Sequence, residues 1–346
     1  MVKSNNYTIY GIHRNVERNI WAAYQLFVLL SSLIGDTLIL YASFQKGAFK
    51  LNKFIQTVIQ HIAVSDLLFA IFGVLQTTAS LLANSMALGD AMCYARVYVG
   101  FICYSMGLWL IAVLTTSKFF LLKYPIRCGN WTKKMAHGVC TLTLIPASIT
   151  PIAFFMVQKD DVQFDYRSYS CDYCYNASIW SDKKLIPTSL SIIRLTMPVM
   201  VVFIATIPTL KYLADARKSA RRVQGSVPWQ GAATVALTAA VYCLSTLPNF
   251  VYHIGESFVE ADATSSFHFQ FYQLSESMLM INIMANFYIY TLTIKSFRKF
   301  ILSKILFVLP LSLKTSRSMT STGNNNKNMK LLKPTFESNA LNLRSK

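Results

Sequence analysis

The chain has 346 residues and a formal net charge of +18, yet only 14% of its residues are charged and 53% are hydrophobic. An average soluble domain carries about 25% charged residues, so this composition excludes a disordered chain, a collagen and an ordinary cytosolic enzyme. The basic residues sit in loops and a tail between long apolar runs, which argues against nucleic acid as a partner, and the seven cysteines are too few and too spread out for a disulfide-stapled mini-domain.

Residues 1–19 lack the apolar core of a cleavable signal peptide and read as an extracellular N-terminus, with the first apolar segment targeting the chain itself. Seven stretches are apolar over the ~20 residues that a membrane-crossing helix needs. They lie near 20–44, 54–83, 92–117, 136–157, 185–210, 230–254 and 267–293, and show no internal repeat. A membrane sheet must close into a barrel of short alternating segments, so the reading is an all-α membrane protein, a seven-helix bundle over 20–293. Residues 294–308 mix basic and apolar positions and predict a short amphipathic helix on the membrane surface. The remainder, 309–346, is rich in Ser, Thr, Asn and Lys and predicts a disordered cytoplasmic tail whose hydroxyls phosphorylation can recharge.

Charge asymmetry predicts the orientation. Stretches 45–53, 118–135, 211–229 and 294–346 hold 24 Lys and Arg, and the alternating set holds 7. Positive residues stay on the cytoplasmic side, which puts the N-terminus outside and the C-terminus inside a plasma-membrane protein. The sequons at Asn6 and Asn176 then fall outside, where glycans are added, and a third at Asn130 falls inside. Against its 24 bases the cytoplasmic set has only Asp215 and Glu337, a face for anionic lipid or an acidic partner.

Within the segments, Asp66 is a carboxylate in the middle of an apolar helix, which makes it a functional candidate. From Cys93 to Lys118 the chain rises roughly 37 Å as helix, enough to put one end outside and the other inside. Loop 158–184 contains Cys171 and Cys174, and Cys93 can pair with either, leaving one extracellular thiol; Cys103, Cys128, Cys140 and Cys243 read as free. No metal-ligand spacing of His with acids, no phosphate-cradling glycine loop and no nucleophile elbow occurs, so no enzyme is expected.

The run Ala63-Val64-Ser65-Asp66, Cys93 with a loop cysteine, Tyr124-Pro125 beyond segment 3, Pro198, Pro248, Asn286-Phe287-Tyr288-Ile289-Tyr290 and Ser296-Phe297-Arg298-Lys299-Phe300 occur in one order on seven segments. This pattern resembles the rhodopsin-like (class A) G-protein-coupled receptors over about 20–303, as an atypical member. The family's Asp-Arg-Tyr stands here as Ser117-Lys118-Phe119, its segment 6 Trp as Thr246, its segment 7 Pro as Phe287, its segment 1 Asn as Asp36 and its segment 5 Tyr as Thr206, with no Trp in segment 4. Lys118 keeps the charge but loses the planar guanidinium fork. These departures bear on activation and not on the fold.

The resemblance implies four sites. Asp36 and Asp66 would adjoin Asn282 and Asn286 in a polar core, either a sodium or proton site or a hydrogen-bonded packing core; two such carboxylates do not both ionise in a low-dielectric site. Gly107 stands where a hydroxyl often completes a sodium shell. Arg96, Gly100, Arg194, His253 and Glu276 would line the outer ligand pocket, Arg194 meeting an anionic group or Glu276, and Arg96 either lining the pocket or snorkelling to headgroups. Ser117, Lys118, Phe119, Lys211, Arg217, Lys218, Arg221 and Arg222 would form the G-protein face, open also to an acidic arrestin-like surface. Pro198 and Pro248 would bend their helices, and Asn286, Phe287 and Tyr290 carry the segment 7 motif.

Segment 3 has no Asp or Glu between Cys93 and Ser117, which removes the anchor of amine receptors, and no Lys lies between Lys218 and Lys295 to hold retinal. The outer acids Glu256, Glu260 and Asp262 favour a basic peptide; a small molecule is the other ligand class. The expected function is transduction of an extracellular signal to a heterotrimeric G protein. The alternatives are a receptor-shaped ligand-binding or scaffold protein that activates no G protein, and a transporter or proton-coupled channel, against which the odd segment count stands.

Overall fold

The computed structural model describes residues 6–45, 47–49, 51–158, 162–165, 169–173, 182–223, 229–258 and 266–308. Residues Met1–Ser303 form one compact unit and Lys304–Lys346 a second. In lipid every backbone polar group must be satisfied within the element, and the described chain is accordingly almost all helix.

Segment 1 is α1 (Asn6–Phe44), which starts well before the apolar run at residue 20. Segment 2 comprises α2 (Lys53–Phe69), a π turn (Ala70–Val74) and α3 (Leu75–Ala83). It opens on Asn52, whose side chain accepts from the Phe54 N–H at 2.8 Å, and closes on Asn84 in the left-handed conformation. Segment 3 repeats this design with α4 (Gly89–Ala95), a π turn (Arg96–Gly100) and α5 (Phe101–Lys123). After the short α6 (Pro125–Cys128), segment 4 is α7 (Lys133–Leu142) and α8 (Leu144–Gln158). Pro146 has no N–H for the Leu142 carbonyl, and the helix is interrupted at Thr143.

The loop between segments 4 and 5 contains strands, which the sequence reading did not anticipate. β1 (Val162–Asp165) and β2 (Ser170–Tyr173) pair antiparallel, with Val162 opposite Tyr173 and Phe164 opposite Cys171. Each strand is only four residues long, too short for a period-2 pattern to stand out. Segment 5 is α9 (Asp182–Val223), longer at its C-terminal end than the apolar run; segment 6 is α10 (Trp229–Phe258) and segment 7 is α11 (Ser266–Thr293). α12 (Lys295–Val308) follows, and the chain bends by 101° between Gln270–Thr293 and Lys295–Lys304.

Five described helices are long and apolar enough to cross a membrane: Val16–Phe44, Lys53–Ala83, Gly89–Lys123, Lys133–Ala153 and Ile192–Tyr212. The bent pair containing α11 makes a sixth, and α10 contributes the shorter apolar stretch Ala236–Tyr252. Their outer faces carry exposed Ile34, Ile204, Leu244 and Leu292, as lipid contact requires. The main core joins Ile39, Ile59, Ile62, Leu108, Ile111, Leu114, Tyr242, Tyr290 and Phe297, drawn from segments 1, 2, 3, 6, 7 and α12.

Candidate functional site

Three polar regions stand out against this apolar frame. The first lies between segments 1, 2 and 7. Asp36 and Asp66 are both buried and close enough to interact electrostatically. Ser32 Oγ donates to Asp36 Oδ2 at 2.7 Å, and Asn286 Nδ2 donates to Asp66 Oδ2 at 2.8 Å. Asp36 Oδ1 is buried without a hydrogen-bond partner, as is the hydroxyl of Tyr290, which lies within electrostatic reach of both carboxylates. A Cβ at Gly107 would sit 3.3 Å from Asp66 Oδ1, so the missing side chain leaves that oxygen open. Ser65 turns away and donates to the Cys103 carbonyl at 2.6 Å. Asn282 is buried one turn before Asn286. The core thus offers carboxylate and hydroxyl oxygens, a donor set suited to a proton or a hard cation.

The second region lies between segments 3, 5, 6 and 7. The Arg194 guanidinium carbon is 4.9 Å from the centre of the Phe101 ring and 5.9 Å from that of Tyr104. Buried Asn249 donates from Nδ2 to Glu276 Oε1 at 3.0 Å, a partner that sequence reasoning missed. Tyr104 lies within electrostatic reach of both Arg194 and Glu276, and its own hydroxyl is buried without a hydrogen-bond partner. Tyr242 interacts electrostatically with Tyr104, and its hydroxyl is equally orphaned. A cation, an acid and two orphan hydroxyls therefore converge between segments 3, 5, 6 and 7. His253 lies in α10, but its side chain is outside the described residues.

Two expected pocket residues have other work. Arg96 turns inward and does not snorkel. Its Nη1 donates to the Gly73 carbonyl at 2.8 Å and to Thr77 Oγ1 at 2.6 Å, and its Nε to the Cys171 carbonyl at 3.3 Å. The π turn of segment 2 spans Gly73, whose carbonyl is one that Arg96 reaches. Gly100 packs against segment 2, where its Cβ would sit 3.6 Å from Gly73 Cα. Cys93 and Cys171 form a disulfide, with Gln76 Nε2 3.5 Å from the Cys171 sulfur. Cys174 and Asn176 lie outside the described residues, as does the Asn6 side chain. Cys103, Cys128, Cys140 and Cys243 are free.

The third region is the end of the bundle at the loop that follows segment 3. Ser117 is buried, while Lys118 and Phe119 are half-buried. Lys118 has no ion-pair or hydrogen-bond partner among the described residues. Lys123 lies over the rings of Phe119, at 5.6 Å, and Tyr124, at 5.2 Å. Lys211 is exposed, and Arg217, Lys218, Arg221 and Arg222 lie in α9 with side chains outside the described residues. Thr206 is buried with an unpartnered hydroxyl. Thr246 Oγ1 bonds the Tyr242 carbonyl at 2.8 Å, one turn back and just before Pro248. Pro198 lies inside α9 and Pro248 inside α10. Segment 7 continues as helix through Phe287, and Tyr290 is fully buried below it.

The model of the family described as 7 transmembrane receptor (rhodopsin family) matches residues 35–290. The chain belongs to that family. The match runs from just before Asp36 to the end of the segment 7 motif at Tyr290, and so includes all three polar regions except Ser32. No curated protein matches the chain. As a rhodopsin-family receptor it is a multi-pass membrane protein, and the family is generally non-enzymatic.

Proposed function

We propose that this rhodopsin-family receptor carries an extracellular signal to a heterotrimeric G protein. The observation that carries the reading is the outer cluster: Arg194 stacked on Phe101 and Tyr104, Glu276 held by Asn249, and orphan hydroxyls on Tyr104 and Tyr242. A half-buried cation beside unsatisfied hydroxyls suits a ligand with a carboxylate or similar anionic group. The 24 bases of one loop set against 7 of the other support an extracellular N-terminus, which opens this cluster to the outside. Ligand binding there shifts the bundle only through different affinities for its two arrangements. The inner rim around Lys118 then receives an acidic G-protein or arrestin surface, with anionic lipid beside it. The polar core of Asp36, Asp66, Asn286 and Tyr290 couples the two ends by holding a proton or a sodium ion.

The test is a screen of carboxylate-bearing small molecules and peptides against cells expressing wild type and Arg194→Ala, with Gα nucleotide exchange as readout. A hit that activates wild type and loses its effect in Arg194→Ala supports the pocket. A hit that works equally on both variants places the ligand elsewhere. A second reading rests on Lys118, which has no partner among the described residues and cannot form the guanidinium fork. It is a receptor-shaped binding or scaffold protein that couples to no G protein.

A further inference from the structure

We infer that His61 and His137 form a two-imidazole site for a divalent transition-metal ion of the zinc class, joining segments 2 and 4. His61 lies in α2 and His137 in α7, and 76 residues of sequence separate them. His61 Nε2 and His137 Nδ1 face each other at 2.9 Å, with the rings edge-on at 71° and centroids 5.1 Å apart. Two imidazole nitrogens that bind one ion at about 2.0–2.1 Å stand about 2.9 Å apart as neighbours in a square plane and about 3.4 Å apart in a tetrahedron. The observed separation matches the first geometry, and a movement of roughly 0.5 Å gives the second.

The location suits an exchangeable ion. His137 is exposed and His61 half-buried, so the pair opens to the outside of the bundle and not into its core. Counted from the helix starts at Lys53 and Lys133, the two rings lie about 12 Å and about 6 Å along their helices. That is near the ends that carry the basic loops, where water and lipid phosphate reach. Among the described residues no group of three or more His, Cys, Asp and Glu is placed to hold a metal ion, so the site has two protein ligands and its other positions fall to water or phosphate. Lys133 and Lys134 sit one turn before His137 and favour an anion in those positions. Without metal, one ring donates its N–H to the other. Binding needs that ring to move its proton to its far nitrogen, so both imidazoles ligate in their neutral form and no proton is lost. The bound ion staples α2 to α7 on either side of the loop that follows segment 3.

Full-length protein in nanodiscs of phosphatidylcholine and phosphatidylserine is titrated with zinc chloride in competition with a fluorescent chelator. Wild type takes up one zinc ion more per chain than the double variant His61→Gln/His137→Gln, and zinc raises its unfolding temperature. Each single Gln variant weakens uptake by about tenfold or more. His137→Cys, which keeps a ligand, retains it, and so does a variant with His13, His253 and His268 all changed to Gln. Copper(II) bound to wild type shows hyperfine coupling to two nitrogens that the single variants lose. Zinc uptake by wild type no greater than by the double variant overturns the site, and so does uptake that survives the double variant but disappears from the His13, His253 and His268 variant.

Discussion

Gly35 of segment 1 and Phe287 of segment 7 occupy the same small space: a Cβ built on Gly35 would lie 2.7 Å from the Cβ of Phe287. The bulky residue that replaces the family's segment 7 proline is therefore matched by a glycine on the facing helix. Phe287 also meets the Phe297 ring edge-on at 6.2 Å, and so links segment 7 to the helix that follows it. Gly35→Ala is expected to destabilise the receptor by about 1–3 kcal/mol through overpacking. Phe287→Gly removes the Cβ and Cγ that the new methyl would meet, so in that background Gly35→Ala loses most of its cost. Thermal unfolding of the four forms gives the cycle, and additive effects would mean that the two residues do not touch.

Asp36→Asn is expected to stabilise the receptor by about 1 kcal/mol. It removes one of two interacting carboxylates, keeps an acceptor for Ser32, and puts a neutral group at the unpartnered Oδ1 position. Asp66→Ala strands the buried Asn286 amide and is expected to cost about 1–3 kcal/mol. Unfolding temperatures of the two variants in opposite directions support the paired core. A loss from Asp36→Asn equal to that from Asp66→Ala contradicts it.

Arg96→Ala removes three hydrogen bonds at once and leaves the Gly73 carbonyl without its charged donor. A loss of about 2–5 kcal/mol is expected, with Arg96→Lys recovering part of it because Lys supplies charge but not the fork. An Arg96→Ala receptor with wild-type unfolding temperature would show that this latch is not formed.

How far the sequence carried the reading depended on range. The spans, the basic loop set and the Asp66, Cys93 and Asn286 motifs are legible because each is a local composition or a fixed spacing. The hydrogen bonds of Arg96 are not legible because its three acceptors lie 19 to 75 residues away on segment 2 and the loop between segments 4 and 5. Asn249 with Glu276, and His61 with His137, are invisible for the same reason: neither pair shares a helix, so no periodicity relates them. The approach of Gly100 to Gly73 is hidden too, because a glycine on segment 3 gives no hint of which neighbour comes close.

Cys93→Ser and Cys171→Ser are each expected to reduce surface delivery strongly, since either breaks the bond that pins β2 to segment 3. Cys174→Ser is expected to be delivered as well as wild type. Mass spectrometry of alkylated peptides reads the pairing directly, and a Cys93–Cys174 bridge in the purified receptor would overturn the one described.

The central claim is that the inner end around Lys118 activates a G protein. It is tested by nucleotide exchange on a panel of Gα subunits fused to the C-terminus, comparing wild type, Lys118→Glu and the variant Lys118→Arg/Phe287→Pro at matched surface levels. The account predicts exchange by wild type on at least one Gα and its loss in Lys118→Glu. Exchange by the Lys118→Arg/Phe287→Pro variant alone would contradict it and would make the native chain a receptor fold that does not couple.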